Sequence, residues 1–356
     1  MQQKEEKLFS FFELWPGWLF NMPLVVWWAL LSARYLSITL PVLSNPKLPL
    51  GGLCGESKEE LFSFLGPLGM RMMAPYVVFK TTGNSGDDLK TALTKLKGVS
   101  LSFPLIAKPD LGMNGTGVQR VRTEVELQTY LEEFPTGAKL ILQRLIDEPG
   151  EAGIFYVRLP SESVGRITSV TLKHFPSVVG DGKSNVRELI QKDKRASHIA
   201  LLYFKRHKEQ LGAVLKEGEE LRLVTVGNHV KGARFTNGAS SITPQMVEVF
   251  DRIAKEIPEF RYGRFDVRFP TLEHLQKGEF TILEYNGASS EPTHIWDKDE
   301  KILDAYKAYL SSIHSLFVIG DYYRKIGYKP AGVLEVWRAF RHESEVLRTY
   351  PQGREV

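Results

Sequence analysis

Cysteine is nearly absent from this chain: Cys54 is the only one among 356 residues. An intrachain disulfide and a cysteine-built zinc site are therefore both excluded. A lone thiol ordinarily serves packing. Usage this low suits a reducing compartment, and equally a cysteine-poor exported protein. A strong charge of either sign is also missing. The net charge is +4 and the pI about 8.9, which admits anionic partners without demanding nucleic acid. No basic run interleaved with aromatics occurs, so no nucleic-acid partner is expected.

A membrane-spanning run is the third absence. Residues Leu14 to Ala33 carry no charge and hold Trp15, Trp18, Trp27 and Trp28, but Pro16, Gly17, Asn21 and Pro23 interrupt them. The clean apolar stretch is only Leu24 to Leu31, well short of the roughly 20 residues a spanning helix needs. Acids precede the run and no small-residue cleavage site follows clearly, so a signal peptide is not expected. Two readings stay open for this arm. Tryptophans beside Arg34 and Tyr35 suit peripheral membrane contact through residues 14–35; the plainer reading packs the arm on the main body.

What is present is ordinary for a soluble globular chain: 43% apolar and 25% charged residues, with length for two or three subdomains. Four regions are expected: an apolar, Trp-rich arm over 1–45, a small α/β subdomain over 46–100, the main unit over 101–300, and C-terminal helices over 301–356. In the second region, Asn45-Pro46, Pro49 and Gly51-Gly52 read as turns, and Glu56-Ser57 opens a short helix. A strand around Pro75 to Lys80 and a helix around Asp87 to Leu96 follow. From Phe103 strands alternate with loops and helices. "IFYVRL" and "GRITSVTLKHF" read as paired antiparallel strands joined by "PSES". "LRLVTVG" reads as another strand, and "SNVRELIQKDKRA" as a helix capped by Ser184. Antiparallel strands with helices between them argue α+β, not a doubly wound parallel sheet.

Chemistry is concentrated in two places. "AKPDLGMNGTGVQRV" carries Gly112, Gly115 and Gly117 in a strand–loop–strand hairpin, with Lys108 ending the first strand. Backbone amides of such a loop can approach phosphates closely, although glycine there also serves plain turn geometry. It is no Walker A loop, because Val118-Gln119 stands where Lys-Ser/Thr is required. It is no dinucleotide fingerprint either, because a strand follows where a helix should. The second place is the strand pair "GRFDVRFP" and "FTILEYNGASSEPTHIWD". The period of two sets Asp266 on one face with Arg264 and Arg268, and Glu284 with Asn286. An acid on a strand is usually exposed or salt-bridged. Two acids and an amide beyond a phosphate-type loop instead suit magnesium, which takes oxygen ligands and shares nucleotide phosphates.

Lys108, the glycine-rich loop, "LILQRLIDEPGEAG", Asp266 and Glu284-x-Asn286, in this order, resemble the ATP-grasp superfamily. Within it the chain is similar to carboxylate–amine ligases akin to D-alanine–D-alanine ligase, and "VVGDGKSNVRELI" resembles a stretch of the ATP-grasp domain of cyanophycin synthetase. The resemblance covers about Phe103 to Asp297 and points to a bacterial group; the arm and the C-terminal helices match none of the ligases' functional motifs. It implies two α+β subdomains gripping ATP, with a carboxylate and an amine as small-molecule substrates. By position, Lys108 would meet the nucleotide phosphates under a lid of Gly115, Thr116, Gly117 and Val118. Gln143, Arg144, Leu145 and Ile146 would form the hinge beside adenine, Glu151 would hold ribose, and Lys173 would be a second phosphate-side lysine. Arg264 would stabilise the reacting acyl phosphate. Asp266, Glu284 and Asn286 would hold up to two Mg2+, with Mn2+ able to substitute.

The resemblance implies a cytoplasmic ligase, peripheral on the inner membrane face if the arm meets lipid; a homodimer is compatible with the sequence. The run "GASSEPTHIWD" departs from the family pattern, so Ser289, Ser290, Glu291 and His294 are expected to shape a different substrate pocket, with Glu291 holding the amine. A solvated turn is the plainer reading of that loop. His229 and His294 are read as acid–base groups near the acceptor or as structural histidines. Two rivals remain: a kinase phosphorylating a hydroxyl, and a membrane-associated nucleotide-binding module without turnover.

Overall fold

The computed structural model describes residues 10–13, 15–113, 115–224 and 232–351. Helix α1 (Gly17–Tyr35) comes first, then short helices α2 (Lys58–Ser63) and α3 (Pro67–Met72), strand β1 (Tyr76–Lys80) and helix α4 (Ser85–Gly98). Next are β2 (Leu105–Pro109), β3 (Gln119–Val121), α5 (Glu124–Glu133) and β4 (Lys139–Arg144). Strands β5 (Gly150–Val157), β6 (Arg166–His174) and β7 (Ser177–Val179) lead into α6 (Val186–Lys192), α7 (Ala200–Arg206), β8 (Glu220–Arg222) and β9 (Arg234–Asn237). The remaining elements are α8 (Pro244–Glu256), β10 (Tyr262–Phe269), α9 (Leu272–Gln276), β11 (Thr281–Asn286), α10 (Ile302–Lys325) and α11 (Val333–Leu347).

Two antiparallel sheets organise these elements, as the α+β reading expects. The first runs β1-β4-β2-β3 and the second β11-β10-β5-β6-β9. β5 and β6 pair antiparallel from Glu151↔Lys173 to Val157↔Arg166. β1 pairs with β4 from Tyr76↔Gln143 to Lys80↔Lys139. Residues 46–100, read as a separate leading unit, thus share a sheet with the unit that follows. Local sequence identifies a strand but not the sheet it joins.

Alternation along β10 explains why the second sheet has one apolar and one charged face. Phe265, Val267 and Phe269 enter a core with Phe250 and Ile253 of α8, where Phe250 stacks on Phe280 at 4.5 Å. Arg264, Asp266 and Arg268 point the other way. α8 forms where the sequence supplies a cap, Thr243 accepting from the Met246 amide, and Pro244 in the first turn. α6 is capped by Asn185, not by Ser184: Asn185 and Glu188 make a reciprocal capping box. Ser184 is instead held by Asp181, its Oγ donating at 2.6 Å. The first sheet packs on α4 and α5 with Tyr350 in its core, stacked on Phe134 at 5.6 Å. Of the expected strand "LRLVTVG", β8 forms the start, and its end lies outside the described residues.

The arm resolves into one helix that runs through Pro23. Proline in a helix interior removes a hydrogen bond, so tertiary packing must hold α1 together. Phe20, Leu24 and Leu31 are buried against α10. The Trp27 indole donates to Leu310 O at 3.1 Å, Tyr306 Oη to Phe20 O at 3.1 Å, and Arg324 to Tyr35 O at 2.6 Å. No described helix is long and apolar enough to cross a membrane.

Beside this helix, Asn45 ties three segments together. Its Nδ2 donates to Gly51 O and Tyr262 O, and its Oδ1 accepts from the Arg261 and Tyr262 amides, at 2.8–3.1 Å. The residue is wholly buried. Asn45→Ala would leave several backbone groups unpaired, at about 1–3 kcal/mol each. The expected outcome is a cooperative loss of about 3 kcal/mol or more in urea unfolding; an unchanged midpoint would show that water replaces the amide.

Candidate active site

The two sheets face each other across a cavity of about 550 Å³. They meet at a polar joint. Lys108 of β2 is buried, and its ammonium donates to Gln143 Oε1 at 2.7 Å and to Leu283 O of β11 at 3.3 Å. Gln143 Nε2 donates to Ala74 O and Leu283 O at 3.1 and 3.2 Å. The Gln143 side chain is therefore spent on the joint, and it is Arg144, Leu145 and Ile146 that continue along the cavity wall. Burial lowers the Lys108 pKa to about 8, while Glu284 and Asp266 act in the opposite sense.

On the charged face of the second sheet, five side chains form a closed network. Lys173 donates to Glu151 Oε1 at 3.2 Å and to Asp266 Oδ1 at 2.9 Å. Arg264 reaches Asp266 Oδ2 at 3.1 Å, and Arg268 reaches Glu151 Oε2 at 2.8 Å. The pairing Glu151↔Arg268 across β5–β10 and Glu151↔Lys173 across β5–β6 puts these groups side by side. Gly153 leaves space for them: a Cβ there would lie 3.0 Å from Arg264 Cδ and 3.2 Å from Asp266 Oδ1. Arg264 and Lys173 hold the Asp266 carboxyl down to about 2 against the effect of its burial. Arg264 Nε is buried with no hydrogen-bond partner. A cavity-lining guanidinium with a spare donor is suited to an anion.

Asp266 lies directly opposite Glu284, and Arg264 opposite Asn286, with a bulge between Asp266 and Val267. Two carboxylates and an amide oxygen thus gather at one end of one strand pair. Among the described residues no group of three His, Cys, Asp or Glu side chains gathers for a metal. This all-oxygen set nevertheless fits a hard cation that keeps water or phosphate as its other ligands. Each Asp266 oxygen accepts one hydrogen bond and retains a second lone pair.

The lid and the substrate loop are placed unevenly. Gly115, Thr116 and Val118 line the cavity. Gly117, at φ 70°, faces away; its carbonyl accepts from Tyr130 Oη at 2.6 Å, and a Cβ would press on Pro109 and Tyr350. Ser289, Ser290 and Glu291 border the cavity, held there because the Ala288 and Ser289 amides donate to Gly51 O and Gly52 O at 3.0 and 2.7 Å. His294 is not brought to it. That ring is buried, meets Ser169 Oγ at 2.6 Å through Nδ1 and lines a separate cavity of about 110 Å³. Burial lowers its pKa. His229 lies outside the described residues.

Three further residues complete the cavity. Lys58 donates to Gly112 O at 2.6 Å, so the start of α2 braces the glycine loop. Glu56 lines the cavity with one buried oxygen unpartnered, and burial with Glu343 and Glu284 pushes it up to about 7. Glu343 arrives from α11 and accepts from the Gly55 amide at 3.2 Å. The only sequence signal was the Gly-rich "GGLCGESK", which marks a close backbone approach; nothing local marks Glu343.

No protein-family model matches the chain, and no curated protein does. Solved structures do. A bifunctional glutathione synthetase from Pasteurella multocida matches at 14% identity and TM-score 0.36, over 74% of this chain and 35% of that one. The VanG D-Ala:D-Ser ligase from Enterococcus faecalis matches at 12% and 0.43, over 77% and 64%. The D-alanine–D-alanine ligase from Bacillus anthracis matches at 12% and 0.40, over 78% and 70%. The chain thus spans about a third of the first protein and under two thirds of the second. One of them is the D-alanine–D-alanine ligase type that the sequence resemblance names. At this degree of superposition they carry nothing further, and the chemistry rests on the chain's own residues.

The ion network makes its own prediction. Arg268→Met leaves buried Glu151 half-neutralised and should destabilise by about 3 kcal/mol, the range for breaking a buried pair. Glu151→Gln with Arg268→Met should recover part of that loss in a double-mutant cycle. Additive losses would mean that the two side chains do not share an energy.

Proposed function

We propose that this chain is an ATP-dependent ligase joining a carboxylate to an amine, with ADP and phosphate as the other products. The observation that carries the reading is the cleft itself: buried Lys108 and half-buried Arg264, the latter with a spare donor, flank the opposed pair Asp266 and Glu284. Cations set to receive phosphate oxygens, beside an oxygen-ligand set, are the parts that phosphoryl transfer uses. ATP would supply the phosphoryl group and Mg2+ would neutralise charge on it, held by Asp266, Glu284 and Asn286.

In this reading a substrate carboxylate oxygen bonds to the γ-phosphorus as the bridging bond to ADP breaks. Lys108 and Arg264 stabilise the charge developing on the transferred group, and Lys173 keeps Asp266 ionised. Loop residues Gly115, Thr116 and Val118 would keep water from the acyl phosphate. The amine nitrogen then bonds to the acyl carbon, phosphate leaves, and the proton lost by nitrogen departs with it. Arg144, Leu145 and Ile146 would border adenine. Glu151 would reach ribose only by sharing oxygens already held by Lys173 and Arg268. Glu291, exposed beside Ser289, would hold the ammonium form of the acceptor and take its first proton before the amine attacks.

The test is product analysis of purified protein with ATP, magnesium and panels of carboxylates and amines, hydroxylamine serving as a trap. Carboxylate-dependent ADP release with a hydroxamate supports the ligase. A phosphorylated hydroxyl formed without amine would make the protein a kinase, and nucleotide binding without turnover would make it a module. Asp266→Asn and Glu284→Gln should each lower turnover by about 100-fold or more with the unfolding midpoint of Glu284→Gln unchanged; full activity at saturating magnesium would remove the metal assignment.

Nucleotide binding should also depend on pH in a defined direction. Free Lys108 loses its proton near pH 8, and phosphate favours its charged form. Binding should therefore take up a proton as pH rises through about 8, and affinity should fall there. Calorimetry in buffers of different ionisation enthalpy reads this directly. Lys108→Arg, charged throughout, should abolish the uptake; uptake that persists would assign the proton to another group.

A further inference from the structure

We infer that the outer face of α1 is a docking surface for an anionic lipid bilayer. The helix has two apolar faces. One, carrying Phe20, Leu24 and Leu31, is buried against α10. The opposite one presents Trp18, Met22, Val25, Val26, Ala29 and Ala33, all exposed. At 100° per residue these six fall on one stripe, and no polar residue interrupts it. A contiguous apolar stripe of this kind on a protein surface marks an interaction site.

The chemistry at the ends of the stripe chooses the occupant. Trp18 is 71% exposed at one end, where an indole suits the headgroup region. Beyond the other end Leu36 is 89% exposed and held at φ 51°, a backbone region bulky residues avoid, with Ile38 exposed just after it. The side chains stand out as knobs, and a fluid hydrocarbon layer accepts knobs without a matching set of holes. From Trp15 to Gly55 the chain has no Asp or Glu, while Arg34 and Lys47 are basic. That sign fits an anionic headgroup layer. The hydrogen bonds from Trp27, Tyr306 and Arg324 pin α1 to α10, so the stripe stays in the plane of the protein surface and the contact is peripheral. The inference is independent of the reaction in the cleft.

The experiment is flotation of the full chain with phosphatidylcholine vesicles containing about one third phosphatidylglycerol, beside pure phosphatidylcholine vesicles, with light scattering of the free protein. The wild type should float with the anionic vesicles, less with the neutral ones, and less again in high salt. Met22→Glu with Val26→Glu changes only exposed positions. It should lower vesicle binding at least ten-fold while the melting temperature and nucleotide affinity stay unchanged. Two results would overturn the proposal. One is a wild type that stays with the buffer in both vesicle types. The other is a dimer in light scattering that the double variant splits, which would assign the stripe to a second copy of the chain.

Discussion

Charge removed from water has to be neutralised on the spot, and the second sheet is arranged around that requirement. Glu151, Lys173, Arg264, Asp266 and Arg268 sit on one face, each in an ion pair with at least one of the others. Desolvation of such groups costs several kcal/mol per ion unless the geometry is closed. Strand pairing closes it: β5 lies between β6 and β10, so Glu151 receives a cation from each side. The remaining strand positions then have to be small or apolar, which is why Gly153 lies under Arg264 and why Phe265 and Val267 point to the opposite face.

That constraint reaches the cleft. A network fixed on its sheet presents a fixed electrostatic floor, and the first sheet is held over it through Lys108 and Gln143, both of which reach Leu283 O. The joint combines these hydrogen bonds with apolar packing, since Ile141 of β4 lies in the second sheet's core and Tyr76 and Val78 of β1 pack against it.

Wherever a period or a spacing carried the information, strand positions and shared faces were legible in the sequence. The alternation in "GRFDVRF" put Arg264, Asp266 and Arg268 on one face, and Glu284-x-Asn286 ends the neighbouring strand as read. Misplacements occurred where the deciding contact lies far along the chain. His294 follows Glu284 and Asn286 closely, yet a short 3-10 turn carries it to Ser169 on β6. Gly117 sits in the loop, but Tyr130 of α5 claims its carbonyl. Glu343 reaches the cavity only because α11 packs against Cys54 and Gly55. Pro23, which should have stopped a helix, is overruled by the α10 surface beneath it.

Tyr350 shows how far the modular picture can be pushed. It is stacked on Phe134 and pressed against the turn at Gly117, inside the core of the first sheet, although it lies after the last helix. β1 also completes that sheet from before residue 101. A fragment cut at 101 and 300, where the motifs begin and end, would lack one edge strand and an aromatic plug from the same half. Excision along motif boundaries would thus yield an open sheet edge and an uncovered core, the features that lead to aggregation. Recognisable motifs and the smallest foldable piece are different intervals of this chain.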